Sequence, residues 1–212
     1  MKSEIPLFPL SLVMFPGAIY PLHIFEERYK KMIKRCLHNN EGFGIVSFID
    51  NKISDVGCYV LIKSIMKTYP NGSQDILVEG NDKFRTMETF YHLDEYMVGR
   101  VLPFSDKEND LIDKDLMNTA IDKFGEILDK TNIILDNSYW KKLETTRNKS
   151  YKIAEKSGLD LKQQQRLLSM DSEKTRLNFL LRHLQKMETI LEKTVREKNI
   201  ISGDGYLNYL FL

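Results

Sequence analysis

Cysteine is scarce in this chain: Cys36 and Cys58 are its only two. They are too far apart for a zinc-binding pair and too few for a disulfide framework, so a reducing cytoplasm is the simplest setting. Net charge is missing as well. Lysine and arginine total 31 against 30 aspartate and glutamate, a formal +1, which provides no long-range field to draw nucleic acid or an anionic membrane. No apolar run reaches the ~20 residues of a membrane span, and Met1 to Pro6 lacks the basic, apolar and small-residue order of a signal peptide. The expectations are a cytoplasmic location, no membrane association, and protein or neutral molecules as partners. A chain of this size buries roughly 70% of its unfolded surface, so it needs no covalent or metal staple.

Proline is absent after Ser105; all six prolines lie before it. This asymmetry divides the chain into a β-rich lobe over 1–104 and a helical lobe over 105–212, an α+β architecture. With no low-complexity linker between them, the lobes are expected to pack on each other. In the first lobe, short apolar runs at Ile45 to Ile49, Val56 to Met66, Ile76 to Val78, Phe84 to Phe90 and Tyr96 to Leu102 have strand length. Pro70-Asn71-Gly72-Ser73 joins two of them as a hairpin, because Asn-Gly supplies positive φ angles. Phe25, Tyr29, Met32, Ile33, Cys36 and Leu37 recur at helical spacing, and Asn39 to Gly42 ends that helix. Prolines 6, 9, 16 and 21 remove backbone donors, so the opening suits an edge strand and a loop.

The second lobe reads as helices over Leu111 to Leu128, around Tyr139 to Glu155, over Leu161 to Leu168, and from about Ser172 to Lys198. The last carries an apolar stripe of Leu177, Leu180, Leu181, Leu184, Met187, Leu191 and Val195, with Asp171 or Ser172 able to cap its start. Trp140 beside Tyr139 reads as a core anchor between helices. The apolar tail from Tyr206 to Leu212 is too short to span a membrane and is expected to dock on the body.

Catalytic signatures are also lacking. There is no Gly-x-x-x-x-Gly-Lys-Ser/Thr loop or Gly-x-Gly-x-x-Gly turn to cradle phosphates, and Gly203-Asp204-Gly205 follows no strand. His23 lies near Glu26 and Glu27 but has no second histidine at ligand spacing, so neither metal nor cofactor is expected. Cys36 faces the apolar stripe, Cys58 lies in a strand, and His38 falls on another helix face from Cys36; no cysteine nucleophile follows.

Against these absences stands an ordered set of motifs: Ile5-Pro6-Leu7-Phe8-Pro9-Leu10, then Phe15-Pro16-Gly17, then Pro21 through Tyr29 with His23 and Glu26-Glu27-Arg28. Downstream come Phe43-Gly44-Ile45-Val46, Val56-Gly57-Cys58, and Val78 through Arg85. In order and spacing this set strongly resembles the N-terminal substrate-binding domain of the Lon proteases. Asp171 to Leu184 extends the similarity more loosely into the helical half. Lys83 stands where that family usually has arginine, which puts a forked hydrogen-bonding role there in doubt.

The resemblance implies a PUA-like β pseudo-barrel plugged by the Phe25 to Leu37 helix, followed by an α-helical bundle. It implies a non-catalytic module that binds unfolded or partly folded polypeptide, or a specific folded protein, without ATPase or peptidase parts. Tyr69 at the hairpin, Phe90 and Tyr91 at a strand end, and Phe104 at the lobe junction are the contact candidates by position, with core burial the competing role for each. Two rival readings are a hydrolase assembling His23, Glu26 and a hydroxyl, and an RNA-binding PUA-like protein. Charge balance counts against the second.

Overall fold

The computed structural model describes residues 3–107 and 113–203. Its strands are β1 (Ser3–Leu10), β2 (Ile19–Ile24), β3 (Phe43–Ile49), β4 (Lys52–Thr68), β5 (Gln74–Tyr91) and β6 (Met97–Pro103), with α1 (Glu27–Asn39) between β2 and β3. They form one mixed sheet in the order β2-β5-β4-β3-β1-β6. The first part of β5 pairs with β4 and the last part with β6, so the sheet curls back on itself. The result is a pseudo-barrel, not a regular closed barrel.

Alternation along the strands gives each face its own core. Leu7, Val46, Phe84 and Val101 fill the inside of the curl. The next residue along β1, Phe8, faces outward and stacks on Tyr29 of α1 with ring centroids 4.0 Å apart. Tyr29, Met32, Ile33 and Cys36 form the buried face of α1, so this helix covers the sheet as the motif similarity implies. Glycine creates the room inside. A Cβ on Gly57 would lie 2.5 Å from the Phe84 ring, and one on Gly44 would lie 2.6 Å from it.

Three expectations are corrected. Ile76 to Val78 and Phe84 to Phe90 are not separate strands but parts of one 18-residue strand, β5. Gly80 does not break it, because Gly80 is the point where the Phe15–Ala18 turn crosses: its N–H donates to the Ala18 carbonyl and its carbonyl accepts from Gly17. The proline-rich opening is not an edge strand, since β1 lies between β3 and β6. Its prolines are tolerated because β1 meets β6 from Ser3 to Leu7 and β3 from Leu7 to Leu10. Pro6 and Pro9 thus each keep one flank without a strand partner. Finally, Phe25 is not on the buried stripe of α1; it is 61% exposed. The helix begins only at Glu27.

The Pro70–Ser73 turn is present, with only Gly72 at positive φ. Asn71 contributes its side-chain oxygen, which accepts from the Ser73 amide at 3.1 Å.

The second described stretch contains α2 (Lys114–Thr131), α3 (Asn137–Thr145), α4 (Lys149–Ala154), α5 (Leu161–Leu168) and α6 (Glu173–Gly203). The segment around Tyr139 is therefore two helices, α3 and α4. Asp113, Asp136 and Asp160 each cap a helix by accepting a backbone N–H, and Asp160 forms a full capping box with Gln163. The Ser172 hydroxyl accepts from the Thr175 amide at the start of α6. Leu177, Leu180 and Leu184 are the buried part of the α6 stripe. Trp140 is partly buried against the core between Phe124 and Tyr139. Leu111, the Val195 side chain, and Asp204 through the Tyr206 to Leu212 tail lie outside the described residues.

One apolar core runs from the sheet into these helices, and a buried ion network fastens the two. Lys83 Nζ donates to Asp106 at 2.9 Å and to the Met170 carbonyl at 2.7 Å. The Arg176 side chain, fully buried, grips both oxygens of Asp106 through its terminal nitrogens. It also donates to Glu173 at 2.9 Å and, through Nε, to the Ser150 hydroxyl at 2.9 Å. The doubt over Lys83 is resolved by this arrangement: Arg176 provides the fork, and Lys83 adds a point charge seated over the Phe104 ring at 4.6 Å.

Candidate functional site

The alternation of β2 decides which side chains reach the surface. Leu22 and Ile24 point into the core, so His23 and Phe25 point out, and their rings stack with centroids 5.8 Å apart. At this corner the chain turns into α1. Glu26 occupies the N-cap in extended conformation yet makes no capping bond, because Arg28 folds back onto its carboxylate with contacts of 3.0 and 2.7 Å.

Beyond this corner lies a groove of about 530 Å³. One wall is the second half of β1, from Phe8 to Leu10, with Ser11 just past it; the others include Phe25, Phe48 at the end of β3, and Tyr91 and Met97 at the β5–β6 hairpin. Phe25, Phe48 and Tyr91 are 61%, 41% and 69% exposed. Large apolar side chains held open around a concavity are the usual mark of an interaction surface. At its rim Arg28 pairs with Glu26, and His23 is hydrogen-bonded to Asp75 at 2.6 Å.

A larger cleft, about 1060 Å³, opens where β6 meets the helical part and is lined by Phe104, Asp106, Arg147 and Tyr151 among others. None of the well-exposed large apolar side chains among the described residues lies in it. Its buried Lys83 and Glu173 and its half-buried Asp106 are joined in the ion network, Lys83 to Asp106 and, through Arg176, Asp106 to Glu173. Burial alone would push the Asp106 carboxyl up, but hydrogen bonds from Arg176 and Lys83 outweigh it and hold its pKa below the usual carboxylate value. For Lys83, burial wins and the pKa falls.

Of the position-based contact candidates, the groove gathers Tyr91 alone. Tyr69 stands beside it at second remove, donating to Asp75 at 2.7 Å, edge-on to the His23 ring and capped by Lys67 at 4.5 Å. Phe90 points to the opposite face of β5 from Tyr91, with Arg100 at 5.9 Å from its ring. Phe104 is half-buried at the junction between Lys83 and Arg85. Position missed Phe25 and Phe48. The signal for Phe25 was available in the alternation Leu22, His23, Ile24, Phe25, which places it opposite the buried pair. Phe48 had none, since it follows an irregularity in the β3–β4 register after Val46.

The structure separates the residues of the hydrolase reading. His23 bonds Asp75, not Glu26, and the nearby hydroxyl of Tyr69 binds the other carboxylate oxygen instead of the imidazole. Burial pushes the Cys36 thiol up to about 11 and the Cys58 thiol up to about 12, so neither is a thiolate at neutral pH. Among the described residues no group of three or more His, Cys, Asp or Glu is placed to hold a metal, and no helix is long and apolar enough to cross a membrane.

Comparison with known proteins places this architecture. The family described as the ATP-dependent protease La (LON) substrate-binding domain matches residues 4–186. A Lon protease of Halothermothrix orenii is 29% identical over 202 residues, covering 89% of this chain and 26% of that protein. Lon protease 1 of Bacillus subtilis is 25% identical over 203 residues, 91% of this chain and 26% of that protein. The chain thus spans about a quarter of the length of these relatives. Among solved structures, the Lon N-terminal domain protein from Xanthomonas campestris aligns with a TM-score of 0.65 at 26% identity, covering 84% of this chain and 97% of that one. The N-terminal domain of the Mycobacterium avium complex Lon protease has the same TM-score, 0.65, at 12% identity, covering 86% of this chain and 98% of that one, and so speaks to the fold. By the match over residues 4–186, carried by an α+β fold with the same architecture, this chain belongs to the Lon substrate-binding domain family.

Proposed function

We propose that the chain is a non-catalytic module that holds unfolded or apolar polypeptide in the groove between β1, the β2–α1 corner and the β5–β6 hairpin. The observation that carries this reading is the exposure of Phe25, Phe48 and Tyr91 around one concavity whose Glu26 and Arg28 side chains pair with each other. Apolar burial and main-chain hydrogen bonding are then the sources of affinity. A patch of a few hundred Å² at roughly 25 cal/mol per Å², less the cost of association, corresponds to micromolar binding at best. In the same reading the chain works as two lobes, 1–104 making the contact and 105–212 bracing it from behind, in the cytoplasm and without a cofactor.

The test is a titration of labelled, reduced and carboxamidomethylated lactalbumin at low and high salt. Binding is expected in the micromolar range, changing less than about threefold with salt. Phe25→Ser combined with Tyr91→Ser, both on exposed side chains, is expected to weaken it at least tenfold with the melting temperature unchanged. A steep loss with salt would transfer the case to an electrostatic partner such as RNA. Absence of binding at either salt would contradict the reading.

A further inference from the structure

We infer that polypeptide enters this groove as an added β-strand, hydrogen-bonded to the open flank of β1 between Phe8 and Ser11. This deepens the polypeptide-binding reading of the same groove and rests on it. β1 pairs with β6 only from Ser3 to Leu7, where Leu7 lies opposite Met97, the first residue of β6. From Phe8 onward the flank that β6 covered has no strand beside it among the described residues, while β3 occupies the other flank from Leu7 to Leu10. No turn or loop backbone among the described residues fills the gap either: outside the ladders, no backbone hydrogen bond from them reaches Phe8, Pro9, Leu10 or Ser11. These same four residues line the groove.

An open strand flank has a specific chemical complement. Its N–H and C=O groups alternate at strand spacing, and only another extended backbone presents partners at that spacing; a helix has already spent its own. Successive residues of a strand turn their N–H and C=O to opposite flanks, so Pro9, tolerated because its missing donor faces the open side, shares that side with Ser11, and the open flank offers the Pro9 carbonyl with the Ser11 N–H and C=O. On the added strand every second side chain points the same way. One set therefore meets Phe25, Phe48 and Tyr91, and the other set faces water.

The ligand class follows: extended, uncharged segments in which apolar side chains alternate with small polar ones. Charge complementarity agrees, because the Glu26 and Arg28 side chains that line the groove pair with each other. Other flanks are open too: the outer side of β2, the terminal strand of the sheet, which Pro21 interrupts, and β4 from Leu61 to Thr68, past its last β3 partner Val60. The β4 flank carries Lys63 and Lys67, a common protection of a free edge against pairing, and neither offers the groove a run of strand backbone as β1 does with Phe8 to Leu10, so the β1 flank is the one assigned.

The experiment uses a fluorescein-labelled decapeptide alternating valine with threonine, and two variants N-methylated on all valines or on all threonines. In an added strand only one of these sets points its amides at β1. One methylated variant is expected to bind at least tenfold more weakly while the other binds like the parent, and amide exchange at Ser11 slows when the parent binds. If all three peptides bind alike and exchange at Ser11 is unchanged, strand addition is wrong while polypeptide binding stands. If neither the parent peptide nor unfolded lactalbumin binds, the polypeptide-binding reading itself fails, and strand addition with it.

Discussion

Replacing Asp106 with alanine is expected to lower stability by about 3–5 kcal/mol, the range seen when one partner of a buried ion pair is removed. Asp106 is the shared acceptor of Lys83 and Arg176, whose side chains are 5% and 0% exposed. Glu173 still neutralises Arg176 after the substitution, but Lys83 keeps only the Met170 carbonyl. For a chain of this size each kcal/mol is worth roughly 2–4 °C, so the melting temperature falls by about 6–20 °C. The effect depends on pH in a defined direction. The folded-state pKa of Asp106 lies below its usual value, so its stabilisation is fully present above the unfolded pKa of about 3.9 and is lost as pH falls through the lower, folded value. Urea denaturation across pH 2 to 7 should therefore show wild type and Asp106→Ala converging toward the acid end. A constant gap at every pH would show that the charge of Asp106 is not what matters.

The second large effect lies inside the curled sheet. Phe84 is 3% exposed and occupies the space opened by Gly44 and Gly57. Phe84→Ala leaves a cavity bounded by glycines and strand backbone, which cannot collapse as flexible side chains do, and is expected to cost about 3–5 kcal/mol. Gly57→Ala probes the same packing from the other side, since its Cβ would fall 2.5 Å from the ring and 2.6 Å from the Ile45 carbonyl. Combining Gly57→Ala with Phe84→Leu should cost less than the sum of the two single changes, as expected for residues sharing one space. Strict additivity would contradict this packing.

Much of the fold was legible in the residues, and the failures share a cause. The α1 stripe, the Pro70–Ser73 turn and the Ser172 cap depend on neighbours within a few positions, where periodicity and capping rules operate. Gly80 misled because its glycine serves a crossing of the Phe15–Ala18 turn, a long-range contact that looks locally like a strand break. The ion network of Lys83, Asp106, Ser150, Glu173 and Arg176 draws on distant parts of the chain, and no local rule connects them. The same holds for the groove. Its walls come from all six strands and the α1 corner, so aromatic residues picked by position were gathered there only in the case of Tyr91.

Where polypeptide sits on the protein can be read from site-mapped cross-linking. Unfolded lactalbumin bearing a benzophenone photoprobe is irradiated with the full chain, and the cross-linked residues are identified by mass spectrometry. The expected result is that adducts concentrate on Phe8 to Ser11, Phe25, Phe48, Tyr91 and Met97. Adducts concentrated instead on Phe104, Arg147 and Tyr151 around the larger cleft, or spread evenly over the surface, would contradict it.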